Sequence, residues 1–449
     1  MVAINSTCPI SLHAQLNPQK VAIENDQYRL SYSALNSAIT CQQALLKPLD
    51  KEKAVEITAT ATIGTLILYF ACLREGFSCC LLHPKDPLLQ EKRNTLALQS
   101  APSAQHYETL PTPLQEISPS AFTYLYTSGT SAKPKIAALS YSNFYYSALG
   151  ALPLLKLDPE SRYLLSLPLF HVSGLSPLFR SFLSGATLIL PPPSYDLFAL
   201  IQEKKISHLS LVSTQYVNLL ANLSGPLPSL KGVLLGGSAF STPILEQGLD
   251  KKLPLYLSYG LTEMSSTVCC NPLMETKDPT HVGCLLPYRH LQLAPDDEIL
   301  LHGETLFQGY YDSTTKKLIR QNAPFATKDL GRLSGKNLKI LGRKDRLMIS
   351  GGENIQPEEV EKALLEIPSI QKACVLAVPD NTYGQKVIAF LYPPSTLPYE
   401  TLKKLLAQKL PGYKIPKAFL PWPEALLPEG NKISTTLQEK LLKFHSSII

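Results

Sequence analysis

Residues 126–135 read Tyr126-Thr127-Ser128-Gly129-Thr130-Ser131-Ala132-Lys133-Pro134-Lys135. They follow an apolar, aromatic run, residues 121–125, that reads as a strand. Hydroxyl side chains flank Gly129 on both sides, and Lys133 and Lys135 follow. Such a loop can wrap backbone N–H groups and hydroxyls around phosphate oxygens, with the lysines supplying charge. The same composition also suits a polar surface turn, so the loop alone leaves both readings open. It is not a Walker loop, because GxxxxGK[ST] is missing.

The chain on either side alternates strands and helices. Val21-Ala22-Ile23 reads as a short strand with Tyr28-Arg29-Leu30 as its hairpin partner, and Ser31 caps a helix carrying Leu35 and Ala38. A strand over 54–57 leads into an apolar helix over 59–73, and Cys79-Cys80-Leu81-Leu82 is a strand stopped by Pro84. Beyond the loop the pattern predicts strands over 163–167, 186–190, 208–212 and 232–235, with helices over 175–183 and 214–220. That alternation argues for an α/β fold with a largely parallel sheet.

Past residue 345 the texture changes. A helix is predicted over 357–365, with Pro357 in its first turn and Glu358, Glu359 and Glu361 near its positive end. Strands over 373–378 and 387–392 and a helix over 399–410 complete a compact unit of about 100 residues. We therefore expect a large domain over 1–343, a joint at 344–345 and a small domain over 346–449.

Composition narrows the function classes. The 449 residues carry a net charge of +6 with basic residues scattered, which mildly favours anionic ligands but is not the basic stripe of a nucleic-acid binder. Nine cysteines include two adjacent pairs, Cys79-Cys80 and Cys269-Cys270, with no CxxC and no metal-ligand spacing. Reduced thiols in a cytoplasmic protein are expected. Met1 to His13 has no basic segment followed by an apolar run, and residues 59–73 are too short and threonine-rich to span a bilayer, so neither a signal peptide nor membrane insertion is expected. Whether the chain forms a homo-oligomer stays open.

The loop also resembles the phosphate loop of the acyl-adenylate-forming superfamily, whose usual pattern is TSGTTGxPKG. Here Ser131-Ala132 replaces Thr-Gly and Ile136 replaces the last glycine, which stiffens the loop. The other motifs follow in that family's order: Pro168 to Gly174, which would line the acyl pocket; Leu234 to Ala239, flanking adenine; Tyr259-Gly260-Leu261-Thr262-Glu263, for adenine and magnesium; Thr327-Lys328-Asp329, for ribose; Gly342 to Asp345, at the hinge; Ser350 to Asn354; and Gly430 to Ser434, with Asn431 in place of glycine. The resemblance implies a large N-terminal domain of mixed or parallel sheets sandwiched by helices, plus a small mobile α+β C-terminal domain. It implies ATP, magnesium and CoA as partners of a small carboxylic acid.

By the same resemblance, Thr127, Ser128, Gly129, Thr130 and Lys135 would hold phosphates. Gly236, Gly237, Ser238, Tyr259, Gly260 and Thr262 would surround adenine, and Asp329 and Arg343 would meet the ribose. One carboxylate can accept both ribose hydroxyls. Glu263 and Thr130 would hold Mg²⁺, which prefers carboxylates and phosphates. Lys432 would bridge carboxylate and α-phosphate while charge builds there. His171 would gate the acyl site, though a histidine between Phe170 and Val172 also suits a packed core position. Asp345 would be the hinge, and Gly351-Gly352 would let the pantetheine arm of CoA pass close to the backbone.

Within the superfamily the runs Ser166 to Leu175, Val233 to Ala239 and Tyr259 to Cys269 are similar to the o-succinylbenzoate–CoA ligase family of menaquinone biosynthesis. That implies an acid with two carboxylates, a ketone and a ring. Ser213, Thr214, Gln215, Ser265, Ser266 and Thr267 would then supply polar contacts to it. No arginine occurs between Arg180 and Arg289, so hydroxyls, backbone N–H groups or water are the expected anchors for the second carboxylate. Another aryl- or fatty-acid–CoA ligase, a carrier-protein loader and a non-catalytic nucleotide binder are the alternatives.

Overall fold

The computed structural model describes residues 6–82, 113–127, 135–237, 240–273, 280–350, 353–380, 384–395, 397–427 and 433–448. Ser128, Gly129, Thr130, Ser238, Gly351, Gly352 and Lys432 lie outside the described residues.

Strands Thr187–Ile189, Arg162–Leu164, His208–Leu211, Gly232–Leu235 and Leu255–Leu261 lie side by side and parallel. Val21–Glu24 extends this edge in parallel and forms the expected antiparallel pair with Arg29–Ser31. His208–Leu211 and Gly232–Leu235 are buried along their whole length, as parallel strands covered on both faces must be. The sheet then changes character. Leu255–Leu261 pairs antiparallel with Ser266–Pro272, and five further antiparallel strands bring the sheet to thirteen.

Alternating strands and helices predict only the parallel half, so the expectation of a largely parallel sheet is corrected to a mixed one. Connection length decides the difference. Residues 262–265 alone separate Leu261 from Ser266, and 335–336 separate Ser334 from Asn337. Parallel pairing needs a crossover of about a dozen residues or more.

A second, six-stranded sheet holds Thr127 and Lys135, the residues on either side of 128–134. Val55–Thr58, Cys79–Leu82 and Phe122–Thr127 run parallel, and Lys135–Ser140, Gly309–Asp312 and Lys317–Arg320 follow antiparallel. Helices Ile63–Glu75, Tyr141–Leu155 and Val172–Ser184 bring their apolar faces into one core with both sheets, where Phe144 stacks on Phe179 at 4.6 Å. Local chemistry sets the helix ends. The apolar helix starts at Ile63 rather than Ala59 because the Thr62 hydroxyl accepts from Thr65 N at 3.2 Å, and it stops at Gly76 with φ 80°.

The C-terminal part is a three-stranded sheet, Lys372–Asp380, Gly384–Tyr392 and Ala418–Pro421, with a core on each face. Val375, Val387, Ala389 and Leu391 meet helices Pro357–Leu365 and Tyr399–Ala407 on one side. Cys374, Leu376, Ile388 and Phe390 meet Trp422, Leu437 and Leu441 on the other. This is the period-two alternation of a sheet buried on both faces. Among the described residues no hydrophobic cluster joins residues before 344 to residues after it. No helix among them is long and apolar enough to cross a membrane.

Candidate active site

Strand Leu255–Leu261 delivers Tyr259 and Gly260 to its C-terminal end, and a short turn, Thr262–Met264, presents Glu263 there. The strand after the turn folds straight back, with left-handed backbone at Ser265 (φ 54°) and Ser266 (φ 101°). A Cβ at Gly260 would lie 2.2 Å from the Ser266 carbonyl oxygen, so only glycine fits this reversal.

The Tyr259 hydroxyl donates to Asp329 Oδ2 at 2.6 Å, and Arg343 Nη1 donates to Asp329 Oδ1 at 2.9 Å. Asp329 and Arg343 face each other across paired strands Phe325–Ser334 and Asn337–Arg343. Arg343 also grips Asp345 with Nε and Nη2. Burial raises the Asp329 carboxyl above its ordinary value, and the Tyr259 hydrogen bond and the Arg343 charge only partly offset this. Burial opposes ionisation of Asp345 too, but Arg343 outweighs it and holds that carboxyl low.

On the phosphate side, Thr127 ends strand Phe122–Thr127 and Lys135 begins strand Lys135–Ser140, so the two flank residues 128–134. Lys135 Nζ stands 4.9 Å above the Tyr310 ring, and the Tyr310 hydroxyl donates to Glu263 Oε1 at 2.5 Å. Burial, then the Glu263 charge, pushes the Tyr310 phenol up, so it stays a donor. The segments expected to hold magnesium and phosphates, far apart in sequence, thus meet through one ring. Glu263 offers a hard carboxylate oxygen beside the place where phosphates would enter, which fits a magnesium ion held by one carboxylate and by phosphates.

Gly236 and Gly237 follow strand Gly232–Leu235, and a Cβ at Gly236 would meet Ser258 Oγ at 2.7 Å. The glycine turn therefore packs directly on the strand that carries Tyr259. His171 is exposed and precedes helix Val172–Ser184 as its N-cap, with its ring 4.4 Å from that of Phe170. It is not the packed core residue that its apolar neighbours also suited.

The candidate acid-binding side chains differ in what they already hold. Ser265 is fully buried and its hydroxyl donates to Thr305 O at 2.9 Å, so its one proton is committed away from a ligand. Gln215 caps its own helix, accepting from Val212 N and donating to Ser166 O. Ser213 is buried, and Thr214 and Ser266 are half-buried. Thr267 is different: its hydroxyl accepts from Arg180 Nη2 at 2.9 Å.

Arg180 is the residue the sequence reading missed. It is 1% exposed, its Nη1 reaches Tyr163 Oη at 3.5 Å, and its Nε has no partner among the described residues. Arg289 is buried close by, with Nε on Thr267 O and Nη2 on Ser147 O. Burial and the Arg180 charge push Arg289 down to about 9. Neither guanidinium has an ion-pair partner among the described residues. Buried charges are normally paired. Arg180, on the helix after the pocket motif, is thus a further candidate anchor beside the expected hydroxyls, backbone N–H groups and water. A signal was present, since Arg180 is a lone charge in the apolar run Leu175 to Leu183.

The model of the AMP-binding enzyme family matches residues 82–311, and that of the AMP-binding enzyme C-terminal domain matches residues 359–429. The chain belongs to the AMP-binding enzyme family. This AMP-binding enzyme is 32% identical over 399 residues to the 2-succinylbenzoate–CoA ligase of Escherichia coli K12, covering 85% of each chain. It is 30% identical over 446 residues to that of Bacillus cereus AH820, covering 90% of this chain and 92% of the relative. Among solved structures it resembles E. coli MenE with a bound analogue of OSB-AMS, at 28% identity and a TM-score of 0.80, covering 98% and 100% of the two chains. It also resembles the Bacillus subtilis o-succinylbenzoate coenzyme A synthetase in complex with ATP and magnesium, at 25% identity and a TM-score of 0.82, covering 96% and 99%. The large N-terminal sheets and small C-terminal domain of this AMP-binding enzyme are those of that group.

Proposed function

We propose that this AMP-binding enzyme is an ATP-dependent acid–CoA ligase that converts 2-succinylbenzoate to its CoA thioester through an acyl-adenylate. One observation carries the reading. Asp329, Glu263 and Lys135, three candidates from distant segments, converge around the end of strand Leu255–Leu261 through Tyr259 and Tyr310. In this reading a nucleotide lies across them, ribose on Asp329 and phosphates toward Glu263 and Lys135.

A carboxylate is a poor electrophile, so the acid is first joined to AMP. Its oxygen attacks the α-phosphorus, the bond to the bridging oxygen breaks, and pyrophosphate leaves. Asp329 accepts the ribose hydroxyls and orients the nucleotide, while Lys135 and Lys432 stabilise charge on the phosphate oxygens. Bound magnesium neutralises phosphate charge, and Glu263 would hold it with Thr130. The CoA thiol, losing its proton, then attacks the acyl carbon and AMP departs. The small domain, 346–449, turns about Lys344-Asp345 between the two steps, bringing Lys432 for the first and Gly351-Gly352 for the second.

Arg180 supports the choice of acid. A buried guanidinium with an unpartnered nitrogen calls for an anion, and 2-succinylbenzoate keeps one carboxylate when the other is activated. A cytoplasmic setting suits the nine cysteines, all free thiols and mostly buried.

The test is mass spectrometry of products from ATP, magnesium, CoA and 2-succinylbenzoate. The expected product is the mono-CoA thioester together with AMP. Equal turnover of benzoate or octanoate would overturn the choice of acid. Failure to exchange labelled pyrophosphate into ATP with any acid would overturn the ligase reading.

A further inference from the structure

Glu263 and Lys135 carry opposite charges and contact the same aromatic side chain, Glu263 at the phenol hydroxyl and Lys135 over the ring face. Tyr310 belongs to strand Gly309–Asp312 of the six-stranded sheet, paired with Ala137 on the strand that Lys135 begins. Its hydroxyl crosses to Glu263 on the thirteen-stranded sheet at 2.5 Å, and Lys135 Nζ lies over its face at 4.9 Å. The segment also holds the Glu263 backbone, since Phe307 N donates to Glu263 O at 2.8 Å. The Phe307 ring meets Tyr310 edge-on at 4.8 Å and keeps it from swinging away. Among the described residues neither Glu263 nor Lys135 has an ion-pair partner.

An ammonium and a carboxylate that share one side chain attract each other, and here each is held at a different part of the phenol. A direct pair would spend the carboxylate that a cation needs and the ammonium that a phosphate needs. We propose that Tyr310 is a positioning residue that keeps these two charges apart and in place, leaving Glu263 open to magnesium and Lys135 open to the ATP phosphates. The phenol occupies one lone pair of Oε1 and leaves Oε2 as a cation ligand. The ring face holds the ammonium by cation–π attraction, a contact weak enough for a phosphate to replace. The role rests on the adenylation reading above.

The experiment uses the full chain with Tyr310→Phe and Tyr310→Leu. Magnesium binding is measured by calorimetry in the presence of a non-hydrolysable ATP analogue, and analogue binding is measured with and without magnesium. The Phe variant keeps the ring and its packing, so it should melt within a few degrees of wild type. It should weaken magnesium binding by about tenfold, the loss of one hydrogen bond to a charged acceptor, and leave magnesium-free analogue binding unchanged. The Leu variant should also weaken magnesium-free binding, because Lys135 is then released to pair with Glu263. Magnesium and analogue binding equal to wild type in both folded variants would overturn the role of Tyr310 alone. A wild-type protein that binds no magnesium–nucleotide would overturn the adenylation reading, and this role with it.

Discussion

Arg343 holds Asp345 in a two-point grip, Nε to Oδ1 at 2.9 Å and Nη2 to Oδ2 at 3.0 Å, while its remaining nitrogen, Nη1, holds Asp329. One guanidinium therefore joins the proposed ribose acceptor to the proposed hinge. The planar fork makes this possible, since a lysine could not serve both carboxylates in fixed geometry. Gln356 adds a second link across the joint, donating to Arg343 O at 2.9 Å. Asp345→Pro would remove the grip and fix φ at the proposed pivot. We expect thioester formation from supplied acyl-adenylate to fall on the order of a hundredfold, the cost of misplacing reacting groups by about an ångström. Pyrophosphate exchange should stay within a few-fold of wild type. Equal losses in both half-reactions would argue against a hinge at Asp345.

Asp329 should set an acid limit on nucleotide binding. Its carboxyl is raised by burial above the ordinary aspartate value of 3.8, and it must be ionised to accept ribose hydroxyls. The KM for ATP should therefore rise as pH falls through a value above 3.8. The stability sign is the reverse of the usual carboxylate case. A folded value above the unfolded one means that folding takes up a proton between the two, so this group's contribution to stability falls as pH rises through that window. Asp329→Asn should flatten the acid limb and weaken ATP by about a hundredfold, from two charge-assisted hydrogen bonds. A pH profile unchanged by that variant would remove Asp329 from the role.

Arg180→Met separates a ligand anchor from a structural cation. Removing the partner of a substrate carboxylate in a buried site should raise the KM for 2-succinylbenzoate by about a hundredfold. The ligand-free variant should be as stable as wild type or more so, because an unpaired buried charge is replaced by an apolar chain of similar length. Thermal melts with and without substrate check both halves. A strong loss of stability in the free protein would mean that Arg180 serves the fold.

Lys432→Ala should lower adenylate formation by about two to three orders of magnitude, the scale seen when one transition-state donor is removed. Thioester formation from supplied acyl-adenylate should survive. Full first-step activity in this variant would move the bridging role elsewhere.

Features legible in the sequence were local ones. Ser31 and Pro357 mark helix starts, and both helices begin where those residues predict. The apolar runs 373–378 and 387–392 read as strands, and strands form there with side chains divided between two cores. The antiparallel half of the large sheet was harder to read. Its strands mix buried and exposed residues irregularly, as in the burial of Phe325–Ser334, and several register shifts interrupt the period of two.

What the chain determined by itself was the order of its motifs, the turns and caps that punctuate its elements and the family to which they belong. These depend on neighbours within a few residues. Only the tertiary structure decided that Arg180 meets Thr267, that Tyr310 contacts both Glu263 and Lys135, and that Ser265 turns inward to Thr305. Those partners are 40 or more residues apart along the chain. Sheet order and strand register bring them together, and a register shift of one residue would turn each side chain to the opposite face.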